Sequence, residues 1–478
     1  MRKELPLTRY DVVVLGAGPG GYVAAIRLGQ LGKSVALVER AELGGVCLNW
    51  GCIPSKALIH AAKLYEQIRS AHELGITVKG LAIDLAKTQE WKRESVRKLT
   101  SGVAQLAKAV GVKIIRAEGK FETPNRIRLT GAESGQDVIE FEHAIVATGS
   151  RPIEIPGFAI DGKHVVDSKD ALDWTEAPKR LLIIGGGVIG MEIGMLYRNL
   201  GSEIAVVEMM DQLLPGIDAE IAQALQRICR KKGIAVHISS KATGYRKTKD
   251  GLAVGIEGPK GKQELVCDVI LLSIGRAPNG LGFGLEAIGV QVEPKGKIPV
   301  NNRLQTNLPH IYAIGDAAGP PLLAHKASKE ALVAAECIAG SSDVYDVAAM
   351  PVAVFTDPEI ASVGLTEADA ARLGRKVFTG KFPFAASGRA VSTGQAEGFV
   401  KVVAEEGSKL LLGVHIFGPD ASNLIGEAAL ALEMGAAVED LALTVHPHPT
   451  LSEALMEAAE ASLGKAIHMM NRGDHKRA

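Results

Sequence analysis

Apolar residues along the chain fall into blocks whose spacing changes in a fixed order. Tyr10 to Glu39 reads YDVVVLGAGPGGYVAAIRLGQLGKSVALVE, which is an apolar run of strand length, a glycine turn, a helical-period stretch, a glycine stop and a second apolar run ending in an acid. Arg180 to Glu208, RLLIIGGGVIGMEIGMLYRNLGSEIAVVE, repeats that order. Unbroken apolar runs predict strands buried on both faces, as in a parallel sheet whose strands are joined by the intervening helix. Five positions coincide: Gly16, Gly18, Gly21, Gly32 and Glu39 recur as Gly185, Gly187, Gly190, Gly201 and Glu208, at a constant offset of 169. The copies also close alike, in AIVATGSRP (Ala144 to Pro152, with Thr148 and Gly149) and VILLSIGRAP (Val269 to Pro278, with Gly275). The first glycine lies 133 residues before the closing glycine in copy one and 90 in copy two, so copy one carries an additional segment after Glu39.

Between these ends, KIIRAEGKFETPNRIRLTG and HISSKATGYRKTKDGLAVGIEG predict short strands broken by Gly, Pro and Asp-Gly turns, a small β-meander inserted in each copy. From about Pro351 the pattern changes to strand-like runs (PVAVFTDPEIASVGL, GFVKVVAE, KLLLGVHIFG) with the amphipathic ASNLIGEAALALEMG, which predicts a separate α+β domain. The expected fold class is α/β: two Rossmann-like dinucleotide-binding domains of shared topology, 1–150 and 151–276, a central segment 277–350, and a C-terminal domain 351–478. The polar tail NRGDHKRA is expected to fray.

Composition narrows the function. With 478 residues, the chain is long enough for about three domains at roughly 150 residues each. Its 54 basic and 54 acidic residues leave no net charge to attract nucleic acid or anionic lipid, and aromatics at 4% offer few stacking platforms. Nucleic-acid binding is therefore not expected. The N-terminus lacks the apolar core of a signal peptide and no run of 18 apolar residues occurs, so neither export nor membrane insertion is expected. Five scattered cysteines do not make a disulfide framework. The expected localisation is cytoplasmic.

Each G-x-G-x-x-G turn has a physical reading: the first glycine makes the tight turn, the second lets the backbone approach a pyrophosphate, and the third lets helix and strand pack closely. The helix N-terminus then faces the phosphates with free N–H groups. Glu39 and Glu208 each lie 23 residues after the first glycine, where an acid accepts hydrogen bonds from a ribose and repels a 2′-phosphate. The second site should therefore prefer NAD to NADP. Two such sites imply two cofactors with electrons passing between them. The additional segment of copy one supplies Cys47 and Cys52 in GGVCLNWGCIPSKAL, at the entrance to a helix marked by Pro54. Cysteines five apart can bridge there, and a helix N-terminus stabilises a thiolate. A buried unpaired couple or half of a zinc site is the alternative, but there is no second cysteine pair at ligand spacing, and no metal site is expected. Cys229, Cys267 and Cys337 lack such a context. In HPHPTLSE, His446 or His448 beside a carboxylate has the makings of a base working near neutral pH, or of a structural or metal-binding pair. Ser452 or Thr450 is placed to cap the helix that follows.

GAGPGG at Gly16, GGVCLNWGCIPSKAL at Gly44, ATGSRP at Ala147, GGGVIGMEIG at Gly185, IYAIGDAAG at Ile311 and HPHPTLSE at His446 span nearly the whole chain in order. In these motifs the chain resembles the pyridine nucleotide-disulphide oxidoreductases. The resemblance implies FAD at the first site and NAD at the second, a central segment returning to the FAD domain, and a C-terminal domain that makes a homodimer. Residue by residue it implies Cys47 and Cys52 as a redox-active disulfide, His448 as base and Glu453 as its orienter. Asp316, Gly119 and Ala324 would contact FAD, with Lys56 approaching the flavin and Glu192 pairing with Lys56. The activity implied is that of the branch oxidising protein-bound dihydrolipoamide, with the lipoyl domain of a 2-oxo acid dehydrogenase acyltransferase or a glycine-cleavage carrier as partner. The histidine would come from the other subunit. Two alternatives stand beside it: another NAD(P)H-dependent flavin disulfide reductase, and a flavin/NAD-binding sensor without turnover. The family's disulfide segment often has Thr and Val where this chain has Val46 and Trp50.

Overall fold

The structure is a computed structural model and describes residues 8–132 and 137–471; the expected fraying from Arg472 onward lies outside them. The first unit opens with β1 (Thr8–Leu15), α1 (Pro19–Gln30), β2 (Val35–Glu39), α2 (Gly45–Trp50), α3 (Cys52–Ser70) and α4 (Leu85–Ala109). It continues through β3 (Lys113–Arg116), β4 (Glu118–Thr123), β5 (Arg126–Thr130) and β6 (Val138–Val146). The sheet runs β3-β2-β1-β6-β5-β4. Val12 and Val14 pack into the core on one face and Val13 and Leu15 into the core on the other, which is why this run has no polar alternation. The additional segment after Glu39 is helical: it forms α2, α3 and α4.

The chain leaves through β7 (Ser150–Pro152) and enters the second unit at β8 (Val165–Val166), α5 (Ser168–Ala171), β9 (Arg180–Ile184), α6 (Val188–Asn199), β10 (Glu203–Val207), α7 (Ala219–Lys231) and β11 (Ala235–His237). A hairpin series follows, β12 (Lys241–Thr248), β13 (Gly251–Gly258) and β14 (Gly261–Cys267), then β15 (Val269–Leu272) and β16 (Arg276–Pro278). The parallel sheet is ordered β11-β10-β9-β15-β8, and β12-β13-β14 is a separate antiparallel sheet. The expected meander thus stands alone in the second unit only. In the first, β4 and β5 continue the main sheet, because β6 is long enough to pair β5 antiparallel and β1 parallel. β16 pairs antiparallel with β7, so the chain leaves and returns side by side.

β17 (Ile311–Ala313) then adds to the first sheet, parallel to β6, and α8 (Ala324–Ile338) packs beside α1. The last unit comprises β18 (Val352–Val354), β19 (Glu359–Gly364), α9 (Glu367–Arg372), β20 (Val377–Pro383), α10 (Gly388–Ser392), β21 (Phe399–Glu405), β22 (Leu411–Gly418), α11 (Ala421–Glu433), α12 (Val438–Leu443) and α13 (Glu453–Ser462). Its antiparallel sheet is ordered β18-β19-β22-β21-β20. A buried ion pair ties it to the second unit: Lys401 of β21 reaches Asp218, the N-cap of α7, at 3.0 Å. Among the described residues no helix is long and apolar enough to cross a membrane.

Candidate functional site

Both glycine turns open on one cavity of about 1570 Å³, larger than the roughly 300–1,000 Å³ of a single small-molecule site. The turns are built alike. Gly16 and Gly185 adopt φ of +100° and +106°, and a Cβ on either would stand within 2.5 Å of a carbonyl oxygen, of Ala147 or Ser273. Cβ atoms on Gly21 and Gly190 would strike the Gly16 and Gly185 carbonyls at 1.8 and 2.1 Å. Gly18 and Gly187 instead have nothing within 4 Å of where a Cβ would be. These two positions leave the backbone bare toward the cavity, as an approaching pyrophosphate requires.

The two acids do more than their spacing indicated. Glu39 accepts hydrogen bonds from the Ala17 N–H (2.8 Å) and the Ala41 N–H (2.8 Å), and Glu208 from the Gly186 N–H (2.6 Å) and the Met210 N–H (2.7 Å). Each therefore braces its own glycine turn while lining the cavity. Thr148, Gly119, Gly275, Asp316 and Ala324 also line it. Thr148 Oγ1 donates to the Asn279 carbonyl at 2.6 Å. Asp316 Oδ2 accepts from Ser150 Oγ at 2.5 Å, and Ser150 Oγ accepts from Arg276 Nε at 2.8 Å. Motif reading missed this relay, although Ser150 and Arg276 sit at matching ends of the two copies and so carried a signal.

Cys47 lies within α2 and Cys52 is the first residue of α3, both facing the cavity. Gly45 makes this close: a Cβ there would stand 2.7 Å from Gly18 Cα, so the cysteine segment rests on the first glycine turn. Both cysteines are free thiols, close enough for each to bias the ionisation of the other. The neighbouring Cys47 thiol and the Lys56 ammonium, against the opposing effects of burial and the Glu192 carboxylate, lower the Cys52 thiol to about 7. The same proximity, with burial and the Cys52 charge, pushes Cys47 up. Solvent in the cavity reaches Cys52, yet the cavity walls surround it.

Lys56, one turn along α3, pairs with Glu192 of α6 at 2.8 Å, as expected. Glu192 also accepts the Phe355 N–H at 2.9 Å, and Lys56 Nζ sits 4.4 Å over the Phe355 ring. No sequence spacing pointed to Phe355. Trp50 lines the cavity wall under the Lys169 ammonium, 5.0 Å from the ring centroid. Cys229, Cys267 and Cys337 are buried apart from the cavity.

His448 and Glu453 stand elsewhere. His448 Nδ1 bonds Glu453 Oε1 at 2.9 Å. A carboxylate only accepts, so Nδ1 carries a proton, and in the neutral ring the lone pair is on Nε2. Burial works to raise Glu453, but hydrogen bonds from the Thr450 N–H and from His448 prevail and hold its carboxyl below the ordinary value. The His448 side chain is 77% exposed and does not line its own chain's cavity. His446 differs: its ring is buried, between the Thr444 carbonyl and Glu427. The expected cap from Ser452 or Thr450 is not made. Ser452 is itself helical in φ and ψ, its hydroxyl is bonded to Thr450 Oγ1, and Glu453 takes the Thr450 N–H instead. Around this unit Leu430, Met434, Leu443, Val445, Ile467 and Met470 are exposed. Among the described residues no group of three or more His, Cys, Asp or Glu is placed to hold a metal.

Residues 10–331 match the pyridine nucleotide-disulphide oxidoreductase model, and residues 350–459 match that family's dimerisation domain. The chain belongs to the pyridine nucleotide-disulphide oxidoreductase family. Relatives in this family include dihydrolipoyl dehydrogenase of Thermus scotoductus, 50% identical over 97% of this chain and 99% of that protein, and that of Bacillus subtilis, 45% identical over 96% and 98%. Among solved structures, LpdA from Mycobacterium tuberculosis superposes with a TM-score of 0.86 at 28% identity, covering 95% of this chain and 99% of that one. The HOCl-induced flavoprotein disulfide reductase RclA from Escherichia coli gives 0.83 at 25%, covering 94% and 99%. Members of the pyridine nucleotide-disulphide oxidoreductase family use FAD and NAD. The two open glycine turns, with a cavity large enough for both, fit two dinucleotides.

Proposed function

We propose that the chain is a dihydrolipoamide dehydrogenase: as a homodimer it oxidises protein-bound dihydrolipoamide to lipoamide and reduces NAD⁺. The observation carrying this reading is the pair of thiols, Cys47 and Cys52, lining one cavity with the two dinucleotide turns. The similarity to dihydrolipoyl dehydrogenases over nearly the whole chain supports it. FAD, bound at the first turn, supplies the two-electron acceptance that lets a dithiol reduce a nicotinamide.

The residues divide the work. Starting from a Cys47–Cys52 disulfide, Nε2 of His448 from the partner subunit takes the proton of one substrate thiol. The substrate thiolate attacks Cys47 Sγ, the Cys47–Cys52 bond breaks, and Cys52 leaves as thiolate beside Lys56. The second substrate sulfur then attacks the first, the substrate ring disulfide closes, and Cys47 leaves, ending protonated with the second substrate proton. Substrate has lost two electrons and two protons, one held on His448 and one on Cys47. Cys52 is suited to leave first because its thiolate has the lower pKa. Glu453 keeps the Nδ1 proton in place, so His448 presents the correct tautomer. Glu208 at the second turn selects NAD⁺ over NADP⁺.

The dimer reading is supported by the dimerisation domain and by the apolar side chains that this last unit leaves exposed. The lipoyl domain of an acyltransferase or glycine-cleavage carrier is the partner that presents the dithiol. The cytoplasm is the compartment in which Cys229, Cys267 and Cys337, outside the redox pair, persist as thiols. A purified-protein assay of NADH formation from dihydrolipoamide and NAD⁺ tests the reading. Flavin bound without turnover would replace it with the sensor reading, and turnover of another disulfide with NADPH would replace it with a reductase.

A further inference from the structure

α8 brings a buried ion pair under the first site. Lys326 and Glu330 lie four residues apart on one face, with relative exposures of 4% and 3%, and their Nζ–Oε1 distance is 2.8 Å. Removing two charges from water is expensive, and apolar residues of similar size usually replace such a pair without loss of stability. The remaining bonding capacity of the pair is spent on one stretch of backbone. Glu330 Oε2 accepts the Gly315 N–H at 2.7 Å, and Lys326 Nζ donates to the Gly315 carbonyl at 3.2 Å and the Gly319 carbonyl at 3.0 Å. Both polar groups of Gly315 and the far end of the Gly315–Gly319 loop are thus held by two side chains of one helix. The loop is also pressed on that helix, since a Cβ on Gly315, whose φ is +65°, would stand 3.1 Å from Ala327 Cβ. Between the gripped residues lies Asp316, which faces the cavity and takes the Ser150 hydroxyl on Oδ2.

We propose that Lys326 and Glu330 are positioning residues that act through Asp316: by fixing the Gly315–Gly319 backbone they aim the Asp316 carboxylate at FAD, and FAD retention depends on them. This rests on reading the first glycine turn as the FAD site. Apart from the bond between them, the pair's hydrogen bonds go only to backbone, so its hold on the geometry of Asp316 passes through the loop. That gives it a thermodynamic mark, because residues acting through one another are not additive.

The test measures FAD release from the holoenzyme by recovery of flavin fluorescence. The variants are Lys326→Met with Glu330→Met together, which removes both the donor and the acceptor and leaves no uncompensated buried charge, Asp316→Asn, and all three combined. The paired replacement should release FAD at least about tenfold faster than wild type, equivalent to about 1.4 kcal/mol, with the thermal midpoint of the apoprotein unchanged. Adding it to Asp316→Asn should accelerate release no further. Unchanged release in the paired replacement overturns the proposal, as does an effect that multiplies with that of Asp316→Asn. Should the paired replacement not fold, Glu330→Asp, which withdraws the acceptor from Gly315 by one methylene, must still speed release; unchanged release there overturns the proposal equally. Failure of wild type itself to hold FAD would instead defeat the reading of the first site.

Discussion

Replacing Lys56 by Met should make Cys52 a poorer thiolate, by an amount the structure bounds. Cys52 and Lys56 are four residues apart on α3, a separation that brings side chains to about 6 Å. At an effective dielectric of about 40, between a protein surface and water, a unit charge at that distance contributes about 1.4 kcal/mol, or about one pK unit. The Cys52 thiol, now lowered to about 7, should rise to about 8. At pH 7 its ionised fraction then falls from about a half to about a tenth, and the rate of alkylation by iodoacetamide falls about fivefold. Loss of Lys56 also leaves Glu192 facing the sulfur unpaired, which acts in the same direction. Glu192→Gln removes an anion and should shift the midpoint the opposite way. The assay is alkylation of the reduced protein against pH, with mass spectrometry reporting Cys52 alone and Cys47 as internal comparison. Midpoints that move in the same direction for Lys56→Met and Glu192→Gln, or not at all, would refute the electrostatic account.

Cys47→Ser and Cys52→Ser should each abolish dihydrolipoamide oxidation while FAD remains bound, checked by turnover and by flavin content after gel filtration. His448→Gln should slow dithiol oxidation at least about a hundredfold, with NADH-driven flavin bleaching intact in stopped flow. Mixed dimers of Cys47→Ser and His448→Gln chains should recover towards half the native activity, and recovery of none in verified mixed dimers means that cysteine and histidine serve within one subunit. NAD⁺ should exceed NADP⁺ in kcat/KM by at least about tenfold, a margin of about 1.4 kcal/mol, and Glu208→Ala should narrow it. Lys401→Met strands the buried Asp218 carboxylate and should cost about 3 kcal/mol in unfolding free energy, read from urea midpoints, while Cys52 alkylation is unchanged.

The parts of the site legible in sequence are those set by local backbone geometry. Gly16, Gly21, Gly185 and Gly190 are demanded by atoms a few residues away or on the adjoining strand, so their spacing carries the information. The Lys56–Glu192 pair was legible only through family resemblance, since α3 and α6 belong to different units. Phe355, from a third unit, left no pattern, because its contacts with Glu192 and Lys56 exist only once the units pack. Ser452 shows the converse: a good capping residue by type, it takes helical φ and ψ itself and spends its hydroxyl on Thr450 Oγ1. The bracing of each glycine turn by Glu39 and Glu208 was hidden for another reason. A carboxylate can serve a ribose and a backbone N–H from one position, and spacing does not distinguish the two.

The side-by-side passage of the chain through β7 and β16 affects its birth on the ribosome. The first sheet needs β17, paired Ile311 to Ala144, so the Ala144–Val146 end of β6, beyond its pairing with β5, stays open on one side while the residues between are made. The second unit leaves and returns through a single two-stranded gate, and its own sheet, β11-β10-β9-β15-β8, draws no strand from outside that interval. It can close as soon as β15 has emerged. The unit begun first is therefore finished second, and an unpaired strand edge of the kind that recruits other chains is carried through the interval. Slow translation between Arg276 and Ile311 would lengthen that exposure, whereas slow translation after Ala313 would not.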